Sequence, residues 1–211
     1  MQRYISDWAD ALDEMLKLNC EIFLPGHGFP ILGKKRIKKA LETTSKFLRS
    51  IEDQTLKLMN QGKSLNQVLH EVEIPNDLME LPWLKPIYDD PQFLIRMIWR
   101  RYGGWWDGEY DRLLPAPRKE EALAWVELSN GIDNIILKAL EHLDKGNLKV
   151  AAQLIETAFH ADNKNDQMHD ARAKIYREFS LKQSSSMGRN ILNHASMASA
   201  QGKRDLAQTE D

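Results

Sequence analysis

Three residues, Ile22-Phe23-Leu24, constrain this chain more than any other feature. They form the one convincing β-strand in a sequence whose other apolar patterns repeat at helical spacing. A lone strand leaves its backbone N–H and C=O groups unpaired, so it implies a sheet supplied from elsewhere. The strand runs into Pro25-Gly26-His27-Gly28. There the glycines permit a tight turn that leaves an imidazole exposed at the strand's end. Such an imidazole suits a metal ion, yet zinc takes about three to four protein ligands and no His/Asp-rich motif supplies the rest. The competing reading is a turn histidine with no metal.

The remaining elements follow from periodicity. Tyr4, Ile5, Trp8, Leu12, Met15 and Leu16 fall three and four apart, predicting a helix over 3–18. A long helix is expected over 34–61, with Ile37, Leu41, Phe47, Leu48, Ile51, Leu58 and Met59 as its apolar stripe and Gly62 as its stop. Ser64-Leu65-Asn66-Gln67 is a capping-box sequence that opens a short helix to about Val72. Pro75, Pro82, Pro86 and Pro91 then make 73–91 an ordered connector. A helix over 92–102 ends at Gly103-Gly104, and Pro115 and Pro117 break the chain again. The last ninety or so residues read as helical hairpins over 119–129, 133–145, 147–161, 166–180 and 187–200. Asn130-Gly131, Gly146-Asn147 and Asp162-Asn163-Lys164-Asn165 are the turn signals between them. Ala139, Gly146, Ala151, Ile155 and Ala158 have the spacing of one tetratricopeptide-like helix pair, whose small residues let two helices approach closely. Thirty-four residues on, Ala139 maps to Ala173 but Gly146 maps to Ser180, so a second copy is partial. Residues 201–211 form a polar tail.

Composition excludes several classes. The 29 basic and 31 acidic residues give a net charge of -2, without the basic surplus of a general nucleic-acid binder. No apolar run approaches the ~20 residues that cross a bilayer. The amino terminus lacks the apolar core of a signal peptide, so the chain as written is expected in the cytoplasm. Its single cysteine, Cys20, cannot form an internal disulfide and is compatible with a reducing compartment.

Two further clusters are candidates for chemistry beside His27. Lys34, Lys35, Arg36, Lys38 and Lys39 open the long helix, where cations are unfavourable by ~0.3 kcal/mol or more each. They form either an anion-attracting rim or a solvated charged face. Trp99, Tyr102, Trp105, Trp106 and Tyr110, with Arg96, Arg100 and Arg101 interleaved, form core, a protein interface or a substrate contact. His70, His142, His160, His169 and His194 show no metal-ligand spacing and read as structural residues.

Taken in order, these pieces resemble the alkyl sulfatases of the metallo-β-lactamase superfamily. The matching stretches are 24–33 around Pro25-Gly26-His27-Gly28, then 51–62, and Tyr102-Gly103-Gly104-Trp105-Trp106-Asp107-Gly108 with Leu114-Pro115. Asn130-Gly131 and Arg189-Asn190 complete the pattern, so that the resemblance covers about 3–200. It implies a mainly α chain: a helical dimerisation domain with tetratricopeptide-like hairpins, preceded by a helix-strand remnant of a metallo-β-lactamase αβ/βα fold. The implied domains are 1–33 for that remnant, 34–161 for the dimerisation domain and 162–200 for the start of a C-terminal helical domain. The parent is implied to be a dinuclear zinc enzyme that hydrolyses primary alkyl sulfates, acting through metal-assisted attack on the ester. His27 matches the family's last zinc-ligand histidine, and the other ligands have no counterpart here. The isolated chain is therefore expected to be inactive, to bind no zinc stably and to dimerise through 34–115. An upstream or separate metallo-β-lactamase domain is a further expected partner, which makes the chain a fragment of the parent. Lys34, Lys35, Arg36, Trp105 and Trp106 are the substrate-contact candidates. The alternative is a self-standing tetratricopeptide-like interaction module, for which an orphan strand has no use.

Overall fold

In the computed structural model, which describes residues 4–202, the chain divides into two compact units with their boundary between Leu113 and Leu114. Ten helices and a single two-stranded sheet make up the described residues. The mainly α expectation holds.

The first unit is built on α1 (Ile5–Lys17) and α2 (Lys34–Asn60). Ile5, Ala9 and Leu12 of α1, spaced four and three apart, are buried against the stripe of Ile37, Leu41, Leu48 and Ile51 on α2. At 1.5 Å per residue α2 is about 40 Å long, which makes it the spine of the unit. Arg49 of α2 ties the two helices at their surface by donating to Asp10 and Asp13 of α1. Both carboxylates therefore hold its guanidinium more firmly protonated than usual. The expected helix start at residue 3 lies outside the described residues, and Tyr4 caps α1.

The strand is not an orphan. Ile22–Phe23 (β1) pairs antiparallel with Ile31–Leu32 (β2), with Ile22 opposite Leu32 and Phe23 opposite Ile31, and Gly33 N–H donates to the Glu21 carbonyl at 2.8 Å. The chain supplies the partner strand itself, so the inference from an unpaired backbone to a missing sheet fails. Leu24 lies outside the strand, in the connecting loop.

Behind α2, the capping box of Ser64 and Gln67 opens α3 (Leu65–Glu71): Gln67 N–H donates to Ser64 Oγ, and Ser64 N–H donates to Gln67 Oε1 at 2.9 Å. The proline-rich connector contains a short helix, α4 (Asn76–Met79), which periodicity does not reveal, and it buries Leu78 and Leu84. Gln54 of α2 fixes the connector's start, since its amide accepts from Glu73 N–H and donates to the Glu73 carbonyl, both at 2.9 Å. α5 (Pro91–Gly103) begins with Asp90 as cap and Pro91 in the first turn, and it buries Leu94, Ile95, Ile98 and Trp99. A 3-10 turn at Tyr110–Arg112 closes the unit.

The second unit is entirely helical: α6 (Arg118–Leu128), α7 (Ile132–Asp144), α8 (Leu148–Ala161), α9 (Asp166–Leu181) and α10 (Ser186–Ala200). α7 and α8 close on Ala139, Ala151, Ile155 and Ala158, all with no exposed surface. The turn between them uses Gly146 at φ +75°, and Asn147 N–H donates to the His142 carbonyl. α9 and α10 form the next hairpin, with Ser180 at the place of Gly146. Buried and near the end of α9, Ser180 donates to the Arg177 carbonyl. No helix of the described residues is long and apolar enough to cross a membrane. Of the polar tail expected at 201–211, all but Gln201 and Gly202 lies outside the described residues.

Candidate functional site

His27 sits in the loop that joins β1 to β2, where Gly28 adopts φ +96°, a region that side chains other than glycine rarely enter. The imidazole is exposed, and its neighbours Leu24 and Phe29 are exposed at 72% and 92%. No group of three His, Cys, Asp or Glu side chains that could hold a metal ion is assembled among the described residues.

The basic run occupies the first turns of α2, directly after the hairpin. Gly33 offers the helix start no side-chain cap, and the first turn carries no acid. Lys34 pairs with Glu21 beside β1 at 3.6 Å, Lys38 pairs with Glu42 at 3.6 Å, and Lys39 lies 5.9 Å from the Trp83 ring. Lys35 and Arg36 project into solvent. Exposed pairs of this kind contribute little to stability.

The aromatic cluster separates into parts with different work. Trp99 is buried, and its indole N–H donates to the Trp106 carbonyl at 2.9 Å. The loop is braced again where Leu65 N–H donates to the Asp107 carbonyl at 2.8 Å. Gly108 stands at φ +86°, and a Cβ there would lie 3.1 Å from Ser64 Cα, so both backbone angle and space require glycine. Arg112 donates to Asp107, and the Trp106 and Tyr110 rings meet at 5.8 Å. Trp105 and Tyr110 are nevertheless 83% and 85% exposed. Tyr102 donates its hydroxyl to the buried Glu52 of α2, whereas Arg101 reaches Ser6 and Asp7 of α1 and covers the Tyr4 ring. Arg96 and Arg100 are exposed. Among the described residues no hydrogen bond or ion pair links the aromatic loop to the His27 loop.

Sequence reasoning missed a buried polar network in the second unit. Arg172 of α9, 6% exposed, donates from Nε to Glu156 of α8 at 2.6 Å, and from Nη1 to Ser199 Oγ at 2.8 Å and the Ala195 carbonyl at 3.1 Å. Its guanidinium lies over the rings of Phe159 and Tyr176, at 4.4 and 5.0 Å. His169 donates from Nε2 to the Asn163 carbonyl at 2.9 Å, and its Nδ1 shares a hydrogen bond with the Ser199 hydroxyl at 3.2 Å. His160 lies 3.9 Å from Glu156. Burial, and then the Glu156 carboxylate, hold the Tyr176 phenol well above the usual tyrosine range. The one available signal was His169 and Arg172 three apart on a helix face that also carries Met168 and Ile175.

A family profile described as alkyl sulfatase dimerisation matches residues 64–202. A linear primary-alkylsulfatase of a Pseudomonas species is 28% identical over 171 residues, which make up 81% of this chain and 32% of that protein. The alkyl/aryl-sulfatase BDS1 of Saccharomyces cerevisiae is 24% identical over 200 residues, 93% of this chain and 31% of its own length. The chain thus spans about a third of the length of these curated relatives. The solved structure of a stereoselective inverting sec-alkylsulfatase from Pseudomonas sp. superposes with a TM-score of 0.89 at 24% identity, covering 95% of this chain and 32% of that one. The fold is shared with that enzyme, and the profile spans all of α3 to α10. On this match the chain belongs to the alkyl sulfatase dimerisation family.

Proposed function

We propose that this chain is the dimerisation and C-terminal region of an alkyl-sulfatase-like zinc hydrolase, and that its own task is to join two copies rather than to cleave an ester. The observation that carries this reading is the dimerisation-family match over 64–202 in a chain whose described residues gather no metal-binding group. Residues 1–33 are assigned to the end of a metallo-β-lactamase domain, 34–161 to the dimerisation domain and 162–200 to the start of a C-terminal helical domain. The exposed apolar side chains of Ile22, Leu24, Phe29 and Leu32 on the hairpin fit a surface made to be covered by the rest of such a domain.

His27 is the one zinc-ligand candidate, and it serves only where other residues complete the site. In the parent reaction, hydrolysis of a primary alkyl sulfate, Lys34, Lys35 and Arg36 form an anion-attracting rim, with Trp105 and Trp106 as apolar contacts. A reducing compartment such as the cytoplasm accommodates the single half-buried Cys20. The paired hairpin removes the orphan-strand objection to a self-standing interaction module. The sulfatase reading is preferred on the family match instead.

The test is sulfate release from dodecyl sulfate by the purified chain with zinc. None is expected. Joining a relative's catalytic domain upstream is expected to restore hydrolysis, and His27→Ala to abolish it again. Zinc-dependent release by the chain alone would overturn the reading.

A further inference from the structure

A cavity of about 260 Å3 lies within the second unit, between α6, α8 and α9. One face of α6 forms its first wall. Glu121, Ala122 and Trp125 follow Arg118 by three, four and seven residues, so all four turn the same way. Glu156, Thr157 and His160 follow Gln153 of α8 at the same three steps and form the second wall. Ala122 and Ala152 are buried between the walls, and their single methyl groups leave the floor open. Tyr176 of α9 adds a second aromatic ring to that of Trp125.

The polar groups are of two kinds. The Glu156 carboxylate is held in place: Arg172 donates to its Oε1 at 2.6 Å, and the Tyr176 hydroxyl also bonds to it. A carboxylate has about four lone-pair sites, so capacity to accept is left over. The other groups have no such engagement. Among the described residues no hydrogen bond or ion pair occupies the side chains of Arg118, Glu121 and Gln153 or the indole N–H of Trp125. Thr157 donates to the Gln153 carbonyl at 3.1 Å, which leaves its oxygen as an acceptor. Trp125 stands 52% exposed.

We propose that this cavity binds a small uncharged polyhydroxyl ring, a monosaccharide. Charge argues against an ion. Arg118 on one wall and Arg172 behind Glu156 offset the two lining carboxylates, so a lone cation or anion would meet a like charge beside each opposite one. An apolar molecule would cover Glu121 and the Gln153 amide without replacing their bonds to water. A sugar ring satisfies both conditions. Its C–H face lies against the indole of Trp125, and its hydroxyls, each a donor and an acceptor, reach Glu156, Gln153 and Arg118. Size agrees: the cavity holds roughly nine waters at ~30 Å3 each, and a six-carbon sugar, with about a dozen bonded non-hydrogen atoms, replaces them.

Nuclear magnetic resonance of the full 15N-labelled chain tests this, with D-glucose, D-galactose and D-mannose as probes and tetramethylammonium and sulfate as ionic controls. At least one sugar is expected to give saturable shifts, with a Kd of about 1–10 mM, confined to amides of α6, α8 and α9 and to the Trp125 indole. Trp125→Leu and Gln153→Ala change half-exposed or exposed positions, and each is expected to weaken that sugar at least about fivefold with helix content unchanged. Should one of them lose helix content, the other reads the site. Trp105→Ser in the first unit is expected to leave Kd within about twofold. Saturable binding of tetramethylammonium or sulfate in place of the sugars would overturn the ligand class. Sugar shifts that never saturate, that fall outside these three helices, or that survive in the folded variants would overturn the site.

Discussion

Replacing Arg172 by methionine tests how the second unit is held together. Methionine keeps an unbranched stem of similar length but removes every donor of the guanidinium. The change takes away the 2.6 Å bond to Glu156, the bonds to Ser199 Oγ and the Ala195 carbonyl, and the contacts over Phe159 and Tyr176. Breaking one side of a buried ion pair costs ~3–5 kcal/mol. The lower end applies here for two reasons. The Glu156 side chain is 25% exposed and keeps His160 nearby, and Ser199 still reaches His169. A loss of about 3 kcal/mol is therefore expected. In a domain of about 100 residues each kcal/mol moves the midpoint roughly 4–8 °C, which predicts a fall of about 12 °C or more.

Urea and thermal unfolding followed by circular dichroism measure this change. Arg172→Lys is expected to recover little, because an ammonium cannot reproduce the planar set of donors. The double variant Arg172→Met with Glu156→Leu is expected to recover about 2 kcal/mol, since no carboxylate then lacks its partner. An Arg172→Met protein within about 1 kcal/mol of wild type would refute the reasoning, as it would mean that desolvation cancels the pair. A double variant no more stable than the single one would refute it equally.

This network also marks where the sequence stops being legible. Helices longer than ten residues could be placed by apolar periodicity, and their ends by glycines and caps, because burying one apolar stripe decides the structure there. α4 escaped because four residues between prolines show no period. β2 escaped because Ile31-Leu32 is two residues long, and a loop of seven residues separates it from β1, beyond the short turns that announce a hairpin. That omission turned a paired strand into an apparent orphan, and with it went one argument for a missing sheet. Arg172 and His169 lie on the same face of α9 as Met168 and Ile175, but as polar residues they drop out of an apolar stripe, and only Glu156 and Ser199 on neighbouring helices show what they meet there. Pairing across helices is a property of the assembled bundle, which no local pattern encodes. The split of the aromatic cluster is of the same kind: Trp99 and Trp105 belong to one sequence motif, yet the first is core and the second is surface.

Gly108→Ala is expected to destabilise the first unit by about 1–3 kcal/mol, from positive φ and from crowding of Ser64, and a urea midpoint unchanged from wild type would refute it. Tyr176 predicts an alkaline limit. Its phenol is held above its ordinary value of 10.0 in the folded state, so the stability it lends is full below pH 10 and is lost as pH rises past that value. Tyr176→Phe is expected to flatten that alkaline fall, and ultraviolet titration of the native chain to show one tyrosine ionising late. The basic run at the start of α2 yields the last prediction. Lys35 and Arg36 project into solvent, and the pairs of Lys34 and Lys38 at 3.6 Å are half-exposed or more. Attraction of an anionic ester by such charges acts at long range and weakens with ionic strength, since the Debye length shrinks from ~30 Å at 0.01 M to ~8 Å at 0.15 M. In a chain joined to a catalytic domain, replacing Lys34, Lys35 and Arg36 with glutamine is then expected to raise KM at 0.01 M ionic strength far more than at 0.15 M, with kcat and dimerisation unchanged. An equal KM for both proteins at both ionic strengths would make the run a solvated helix face, and its place at a helix start, where cations are unfavourable, would then have no functional reason.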